Sequence, residues 1–243
     1  MKYALCFRGI SYYKDYYHAD SPQLFDVDFS ESLGSFQKNI INPLKETGHE
    51  VDVFFTTYDS VKLQEYIDIM KPKAVKLNTY QYLRPGTWRN VLSMILDTLN
   101  LIKNTNIYYD YIIISRFDNY IFENILNVFI AENGVSSISK GEDNFFIISG
   151  SILDLVYNYF IELINKNAVT HSYTEYFLSK GLRCHKFYKE IKDQKNHPFL
   201  KTTRQLFTPK NHTFHLCDVE DLYNPKSEFY GFLYETVKEY TSC

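Results

Sequence analysis

The segment YDYIIISRFDNYIF, residues 109–122, decides the fold class of this chain. Its run from Tyr111 to Ile114 is apolar at every position, which is typical of a strand covered on both faces of a sheet. The polar and charged segment Ser115–Asn119 follows this run directly. In α/β sheets, ligands bind beyond the carboxyl ends of the strands. The segment therefore predicts a central strand whose carboxyl end carries functional groups.

Alternating strand and helix patterns surround this segment. Further apolar runs that predict strands are Lys2–Phe7, Val51–Thr57 and Ala74–Leu77. Segments with apolar residues at helical spacing are Leu33–Leu44, Lys62–Met70 and Trp88–Ile102. Such alternation predicts an α/β fold, with a mostly parallel central sheet flanked by helices. Because no linker or repeat interrupts the chain, we expect one domain over residues 1–243.

The other segments have less regular patterns. We expect a loop over Ser11–Phe29, a bend at Pro43, and Gly48 as the residue that closes the helix before it. In the second half we expect a strand at Phe145–Ile148 and helices at Leu153–Ile164, Glu175–Lys180 and Glu228–Tyr240.

Composition excludes several classes of protein. The 243 residues carry a formal net charge of −3 at pH 7, whereas a protein that coats nucleic acid is normally basic. No run approaches the ~18 apolar residues that a membrane span needs, and the apolar run that Arg8 ends is too short for a signal peptide. The four scattered cysteines form no CxxC pair, which predicts a reducing compartment and no zinc knuckle. We therefore expect a soluble, cytoplasmic protein.

The motifs of three common α/β enzymes are also missing. No GxGxxG follows the first strand and no GxxxxGK(S/T) occurs, which argues against a Rossmann dehydrogenase and a P-loop NTPase. No GxSxG occurs either, which argues against an α/β-hydrolase. A methyltransferase fits the alternation but lacks the glycine-rich turn after the first strand.

Candidate ligand-binding residues lie where the predicted strands end. The first strand ends at Arg8 and Gly9, and the fourth ends at Arg116, so two of the six arginines lie on the expected ligand side. Arginine suits bidentate recognition of phosphate, although both residues could instead pair with nearby acids. Asp118 could hold Mg²⁺ or Mn²⁺, which prefer oxygen ligands. Alternatively, it could cap the turn that follows.

Four segments together resemble small A-type glycosyltransferases. They are Lys2–Gly9 ending in RG, GHEVDVFFTTY at 48–58, YDYIIISRFDNYIF at 109–122, and GEDNFF at 141–146. The resemblance covers most of residues 1 to about 180 and extends to the rhamnosyltransferase-type domain at the N-terminus of a large chlorovirus glycosyltransferase, and to related viral and bacterial sugar transferases. It implies an A-type glycosyltransferase fold, with a nucleotide-binding half at 1–122 and an acceptor-binding half at 123–243.

The resemblance also implies partners and a cofactor. The donor would be a nucleoside diphosphate sugar such as a UDP-sugar, and the acceptor a glycan or glycoprotein. A divalent cation, Mn²⁺ or Mg²⁺, would be held by an Asp-x-Asp motif. Here Asp118 is followed by Asn119 and Tyr120, so the second Asp is missing. A literal Asp-x-Asp occurs at Asp26 and Asp28, but in a predicted loop, and we set it aside.

Residue roles follow from the same resemblance. Asp118 would bind the metal or the diphosphate, and His215 could complete the metal site. The donor-binding residues would be Arg8, Gly9, Thr57, Tyr58, Arg89, Arg116 and Asp118. Tyr58 could stack on the base or simply pack in the interior. The basic stretch from Arg183 to His212 could hold the diphosphate leaving group or a charged acceptor, or could be a solvated face.

Inverting sugar transfer needs a base to take the proton of the acceptor hydroxyl. Asp143 is the first candidate, because it precedes a predicted strand and the turn Ser149–Ser151 that opens a helix. Glu175 is the second candidate, on a short predicted helix after His171. Either carboxylate could instead bind acceptor hydroxyls or be a solvated surface charge. The sequence thus favours a metal-assisted, inverting hexosyltransferase, with rhamnose as one candidate sugar. The alternative is a non-catalytic glycan- or nucleotide-binding module with the same fold.

Overall fold

A computed structural model gives the fold of this chain. It describes residues 1–9, 12–18, 21–78, 88–128, 130–137, 144–166, 173–186 and 200–202. The predicted helix at Glu228–Tyr240 lies outside these residues. No helix in the described ranges is long and apolar enough to span a bilayer.

Strands and helices alternate along the described chain. The strands are β1 Lys2–Gly9, β2 Tyr12–His18, β3 Ser21–Asp28, β4 Glu50–Tyr58, β5 Ala74–Asn78, β6 Tyr111–Arg116, β7 Asn119–Ile121, β8 Gly134–Ser137, β9 Phe145–Ser149, β10 Arg183–Lys186 and β11 Leu200–Thr202. The helices are α1 Ser30–Phe36, α2 Asn42–Glu46, α3 Leu63–Met70, α4 Trp88–Lys103, α5 Leu153–Asn165 and α6 Tyr173–Ser179. The predicted boundaries of β1, β4, β5, β6 and α3 to α5 agree with these to within a few residues.

A seven-stranded sheet forms the centre of the fold, in the order β10-β8-β9-β6-β1-β4-β5. The pairs β1–β4, β1–β6, β4–β5 and β8–β10 are parallel. Only β9 runs against its neighbours β6 and β8 within this sheet. The prediction of an α/β fold with a mostly parallel sheet is therefore confirmed.

Two apolar layers cover the sheet, one on each face. On one face, Phe7 and its neighbours pack against α1 and α3. On the other face, Cys6 and its neighbours pack against α4, α5 and α6. Because successive strand residues point to opposite faces, a central strand must be apolar throughout, as Tyr111–Ile114 is. Burial of this kind contributes about 25 cal/mol for each Å² of apolar surface.

The segment predicted as a loop at Ser11–Phe29 is instead an antiparallel hairpin. β2 pairs with β3, with Tyr12 opposite Asp28 and Tyr16 opposite Phe25. Register shifts interrupt the pairing between Tyr13 and Tyr16 and between Tyr16 and His18. These irregularities break the two-residue period by which a strand is identified in sequence. Asp26 and Asp28 therefore lie in a strand and not in a loop.

Pro43 lies directly after a change in helix type, and the predicted bend there stays a prediction. A π-helical turn, Gln37–Ile41, joins α1 to α2, and the N–H of Asn42 bonds to the carbonyl of Gln37. Proline has no N–H and its ring clashes with the carbonyl four residues earlier. The wider turn lets the helical path continue through Pro43. Gly48 closes this segment as predicted, with φ +80°.

Candidate functional site

The sheet order places a topological switch point beside β1. From β1 the chain moves outward through β4 to β5, and it then returns to β6 on the other side of β1. In open α/β sheets the crevice at such a reversal, beyond the carboxyl ends of the strands, is where ligands bind. Here that crevice begins at Gly9, which ends β1, and at Arg116, which ends β6.

Two arginines occupy adjacent positions at this switch point. Arg8 on β1 is in register with Arg116 on β6 and with Thr56 on β4. Register partners on neighbouring strands lie about 4.8 Å apart and point to the same face. Arg8 and Arg116 therefore share the sheet face that α4 covers. Arg8 is 3% exposed, whereas the Arg116 side chain keeps 29% of its surface accessible.

Arg116 makes a two-point ion pair with Asp118. Its Nε donates to Oδ1 of Asp118 at 2.7 Å, and its second terminal nitrogen donates to Oδ2. Its Nη1 donates to Oδ1 of Asn144 at 2.8 Å. The structure therefore contains the ion pair that the sequence left open as an alternative, in which Arg116 pairs with a nearby acid. Such fork-to-fork pairs fix the plane of the guanidinium as well as its position.

Asn144 joins the start of β9 to the end of β6. Its carbonyl accepts the backbone N–H of Arg116 at 3.1 Å and the side-chain amide of Asn119 at 2.7 Å. The same amide nitrogen of Asn119 donates to Ser115 Oγ at 2.8 Å. This network exists because β9 is antiparallel, which brings its first residues to the carboxyl edge of the parallel strands.

A polar face of the α1 segment anchors the turn that carries Asp118. Ser32 donates from Oγ to the carbonyl of Phe117 at 2.6 Å and also to the carbonyl of Asn119. Ser35 Oγ accepts the N–H of Ile121 at 2.9 Å. Asn39 donates to the carbonyl of Ile121 at 2.7 Å. Residues 32, 35 and 39 have helical spacing, so one face of the helix holds residues 117–121.

The ends of β1 and β4 are also joined. Thr57 is buried and donates from Oγ1 to the carbonyl of Gly9 at 2.8 Å. Gly9 has φ +103°, in the region that disfavours side chains, and apart from its chain neighbours no atom of the described residues lies within 4 Å of where its Cβ would be. Tyr58 is 5% exposed, and its hydroxyl lies 3.4 Å from the sulfur of Met94. Base stacking by Tyr58 stays a prediction, and it requires this covered ring to become accessible.

The side chains of several predicted site residues are not described, so their positions relative to Arg116, Asp118 and Asn144 are not given. Arg89 and Glu175 lie in α4 and α6, whose side chains at those positions are not described. Asp143, His215 and most of the basic stretch 183–212 lie outside the described residues. Asp143 is nevertheless the chain neighbour of Asn144, a residue that the site does contain.

The described residues do not form a ready metal site. They contain no group of three or more His, Cys, Asp or Glu side chains that could hold a metal ion. Both carboxylate oxygens of Asp118 bond to Arg116. Asn119 Oδ1 is buried without a hydrogen-bond partner within the described ranges, but one amide oxygen is a weak anchor for a hard cation. The metal roles of Asp118 and His215 stay predictions.

Asn144, Ser32 and Asn39 are site residues that the sequence reading did not select. Asn144 follows Asp143 in GEDNFF, so the motif contained it without indicating its role. Ser32, Ser35 and Asn39 form a polar stripe along a helix that otherwise shows buried apolar residues. Such a stripe is a usable signal, because a buried polar side chain needs a partner.

Comparison with known proteins adds distant structural neighbours. The chain matches no protein-family model, and no curated protein has significant sequence similarity to it. One similar solved structure is a mutant of Drosophila β1,4-galactosyltransferase 7 in complex with manganese, UDP-Gal and xylobiose. It has 12% identity and a TM-score of 0.42, over 90% of this chain and 78% of that chain.

A second similar structure is the catalytic domain of the same Drosophila enzyme in complex with xylobiose. It has 12% identity and a TM-score of 0.43, over 88% of this chain and 76% of that chain. Both neighbours are galactosyltransferases. Identity and TM-score this low establish no activity for this chain, so its own geometry has to carry the functional inference.

Proposed function

We propose that this protein is an A-type glycosyltransferase that moves a sugar from a nucleoside diphosphate sugar to a glycan acceptor. The observation that carries the proposal is the pair Arg8 and Arg116, in register at the carboxyl edge of β1 and β6 at the switch point. Guanidinium groups suit a diphosphate because they donate two parallel hydrogen bonds to its oxygens. The resemblance of four sequence segments to sugar transferases supports the same reading.

The proposed reaction is a displacement at the anomeric carbon of the donor sugar. The acceptor hydroxyl oxygen attacks the anomeric carbon, the bond from that carbon to the diphosphate oxygen breaks, and the nucleoside diphosphate leaves with the bonding electrons. The hydroxyl proton goes to a carboxylate base. The accessible guanidinium of Arg116 stabilises the negative charge that develops on the leaving group, and the buried Arg8 adds positive charge beside it; electrostatic stabilisation of this form contributes most in many enzymes.

We assign the base role to Asp143, with Glu175 as the second choice. Asp143 is next in the chain to Asn144, whose side chain bonds to Arg116. If the reaction inverts the anomeric carbon, the base takes the proton of the acceptor hydroxyl. Rhamnose as the sugar, a glycoprotein acceptor and a cytoplasmic site of action rest on the resemblance or on composition, and they remain part of the proposal. A divalent cation is what the resemblance implies, and the proposed sugar transfer does not depend on it.

A non-catalytic binding module is the second candidate function. One observation favours it. Asp118 is the carboxylate that the described residues place beside Arg116, and both of its oxygens bond to that arginine. A module of this kind would bind a nucleotide or glycan without transferring sugar.

Ligand binding and turnover separate the two functions. UDP-, GDP- and dTDP-sugars are tested for thermal stabilisation, and the donor that stabilises is then incubated with glycan acceptors. The enzyme is supported if a donor stabilises the wild type and glycosylated product forms, and if Asp143→Asn forms no product. Stabilisation without product supports the module. If no nucleotide sugar stabilises the protein, donor binding at the switch point is wrong.

A further inference from the structure

We propose that the guanidinium of Arg116, and not a divalent cation, faces the donor diphosphate, and that Asp118 is a positioning residue that holds this guanidinium in place. The inference rests on the proposed function, since it specifies how the same site binds the donor. It assigns Asp118 a role different from the metal-binding role that the sequence predicts.

Accessibility is the first reason. The side chain of Asp118 keeps 4% of its surface accessible, and that of Arg116 keeps 29%. A cation bridging the carboxylate to a diphosphate needs an accessible carboxylate oxygen. The diphosphate can contact Arg116 directly, because that side chain is the part of the pair that reaches the surface.

Orientation is the second reason. Three nitrogens of Arg116 donate hydrogen bonds: Nε and Nη2 to Asp118, and Nη1 to Asn144. Its backbone N–H is held by the carbonyl of Asn144 as well. A guanidinium restrained in this way loses little rotamer freedom when a ligand binds, so more of each hydrogen bond to phosphate appears as affinity.

The residues after Asp118 are the third reason. The position two residues on, where a second carboxylate would lie in an Asp-x-Asp motif, is Tyr120 in strand β7, opposite Lys201 of β11. Its ring contacts Phe122 at 4.9 Å between centroids. Asn119 uses its amide nitrogen on Ser115 and Asn144. The turn is thus built to hold Asp118 beside Arg116.

The test is calorimetric titration of UDP, GDP and dTDP into the full chain, once with EDTA and once with Mn²⁺. It uses the wild type and the variants Arg116→Ala, Arg116→Lys and Asp118→Asn. Lys103→Ala serves as the matched control, because it removes a surface cation whose partner Asp154 is exposed. Circular dichroism and thermal unfolding establish that each variant is folded. Arg116→Lys keeps the charge without the fork, so it remains informative if Arg116→Ala does not fold.

We expect at least one nucleotide to bind with affinities within about twofold in EDTA and in Mn²⁺. Arg116→Ala should weaken binding about 10- to 100-fold in both conditions, which is typical of lost hydrogen bonds to a charged group. Arg116→Lys should lose most of the same affinity. Asp118→Asn should weaken binding equally with and without Mn²⁺, because its effect passes through Arg116. Lys103→Ala should bind like the wild type.

Other outcomes overturn the inference in distinguishable ways. Wild-type binding that occurs only with Mn²⁺, and that Asp118→Asn abolishes, restores the metal role and leaves the proposed function intact. Metal-free binding that Arg116→Ala leaves unchanged also overturns the inference. No binding of any nucleotide in either condition refutes the proposed function, and the inference with it.

Discussion

The hydroxyl of Ser32 is expected to be one of the most important single polar groups for the stability of the site. It is buried and bonds to the carbonyls of Phe117 and Asn119, which lie on either side of Asp118. Ser32→Ala removes the hydroxyl and leaves no other atom of residue 32 able to bond to these oxygens. We therefore expect the turn at 117–119 to lose its connection to α1.

The size of the effect follows from burial. Leaving a buried polar group unsatisfied costs about 1–3 kcal/mol, so we expect a loss of about 2 kcal/mol in the free energy of unfolding. For a chain of this length, each kcal/mol lowers the melting temperature by about 2–4 °C. Ser32→Ala should therefore melt about 4–8 °C below the wild type.

Urea denaturation followed by circular dichroism measures this free energy directly. The matched control is Ser179→Ala, because Ser179 is exposed and bonds to the carbonyl of Tyr176 in the same helix at 2.7 Å. The control should stay within about 0.5 kcal/mol of the wild type. If Ser32→Ala is as stable as Ser179→Ala, then the hydrogen bonds of Ser32 to the turn contribute nothing to stability and the reasoning is refuted.

Three further predictions concern other parts of the chain. Burial alone would raise the pKa of the Asp52 carboxyl, but hydrogen bonds from Lys73 and Tyr109 outweigh it and lower the pKa. The stability from Asp52 is therefore present above its unfolded pKa of about 3.9 and is lost as the pH falls through the lower folded value. Asp52→Asn should flatten the pH dependence of unfolding below pH ~4, and an unchanged acid transition would contradict this assignment. Burial raises the pKa of the Cys184 thiol to about 11, so alkylation at pH 8, followed by mass spectrometry of its peptide, should be slower than for a free cysteine peptide; equal rates would refute the burial effect. Gly9→Ala should lower the free energy of unfolding by about 1–3 kcal/mol through backbone strain alone. The reason is that φ is +103°, while apart from the chain neighbours no atom of the described residues lies within 4 Å of the added Cβ. An unchanged urea midpoint would show that the backbone relaxes.

Much of the fold could be predicted because its signals are local. Lys2–Phe7 and Tyr111–Ile114 are apolar without interruption, and α4 repeats its apolar residues at helical spacing. Both signals can be recognised within a short segment, because burial leaves continuous apolar runs in central strands and a 3.6-residue apolar period in helices. The switch-point rule then placed Arg8 and Arg116 at one edge of the sheet, and the register of β1 and β6 confirms that placement.

The hairpin at Tyr12–Asp28 could not be predicted in the same way. Its strands contain register shifts, so no two-residue period extends through them. The direction of β9 was also beyond the sequence, because a short strand has the same pattern whether it runs parallel or antiparallel. That direction matters for the site, since it brings Asn144 to the carboxyl edge of β6.

By itself, then, the sequence determined the α/β class, the central strands and the presence of two arginines at their carboxyl ends. The tertiary structure alone decided what those arginines contact. Asp118 is two residues from Arg116, and a sequence cannot show whether a carboxylate so placed accepts from that arginine or faces a ligand. Ser32 and Asn144 lie 84 and 28 positions from Arg116 in the chain. Only folding brings Ser32 to the turn that follows Arg116, and Asn144 to Arg116 itself. Hydrogen bonds of this kind require segments that are distant in the chain to be positioned to within a few tenths of an ångström. No local pattern of residues specifies such positions.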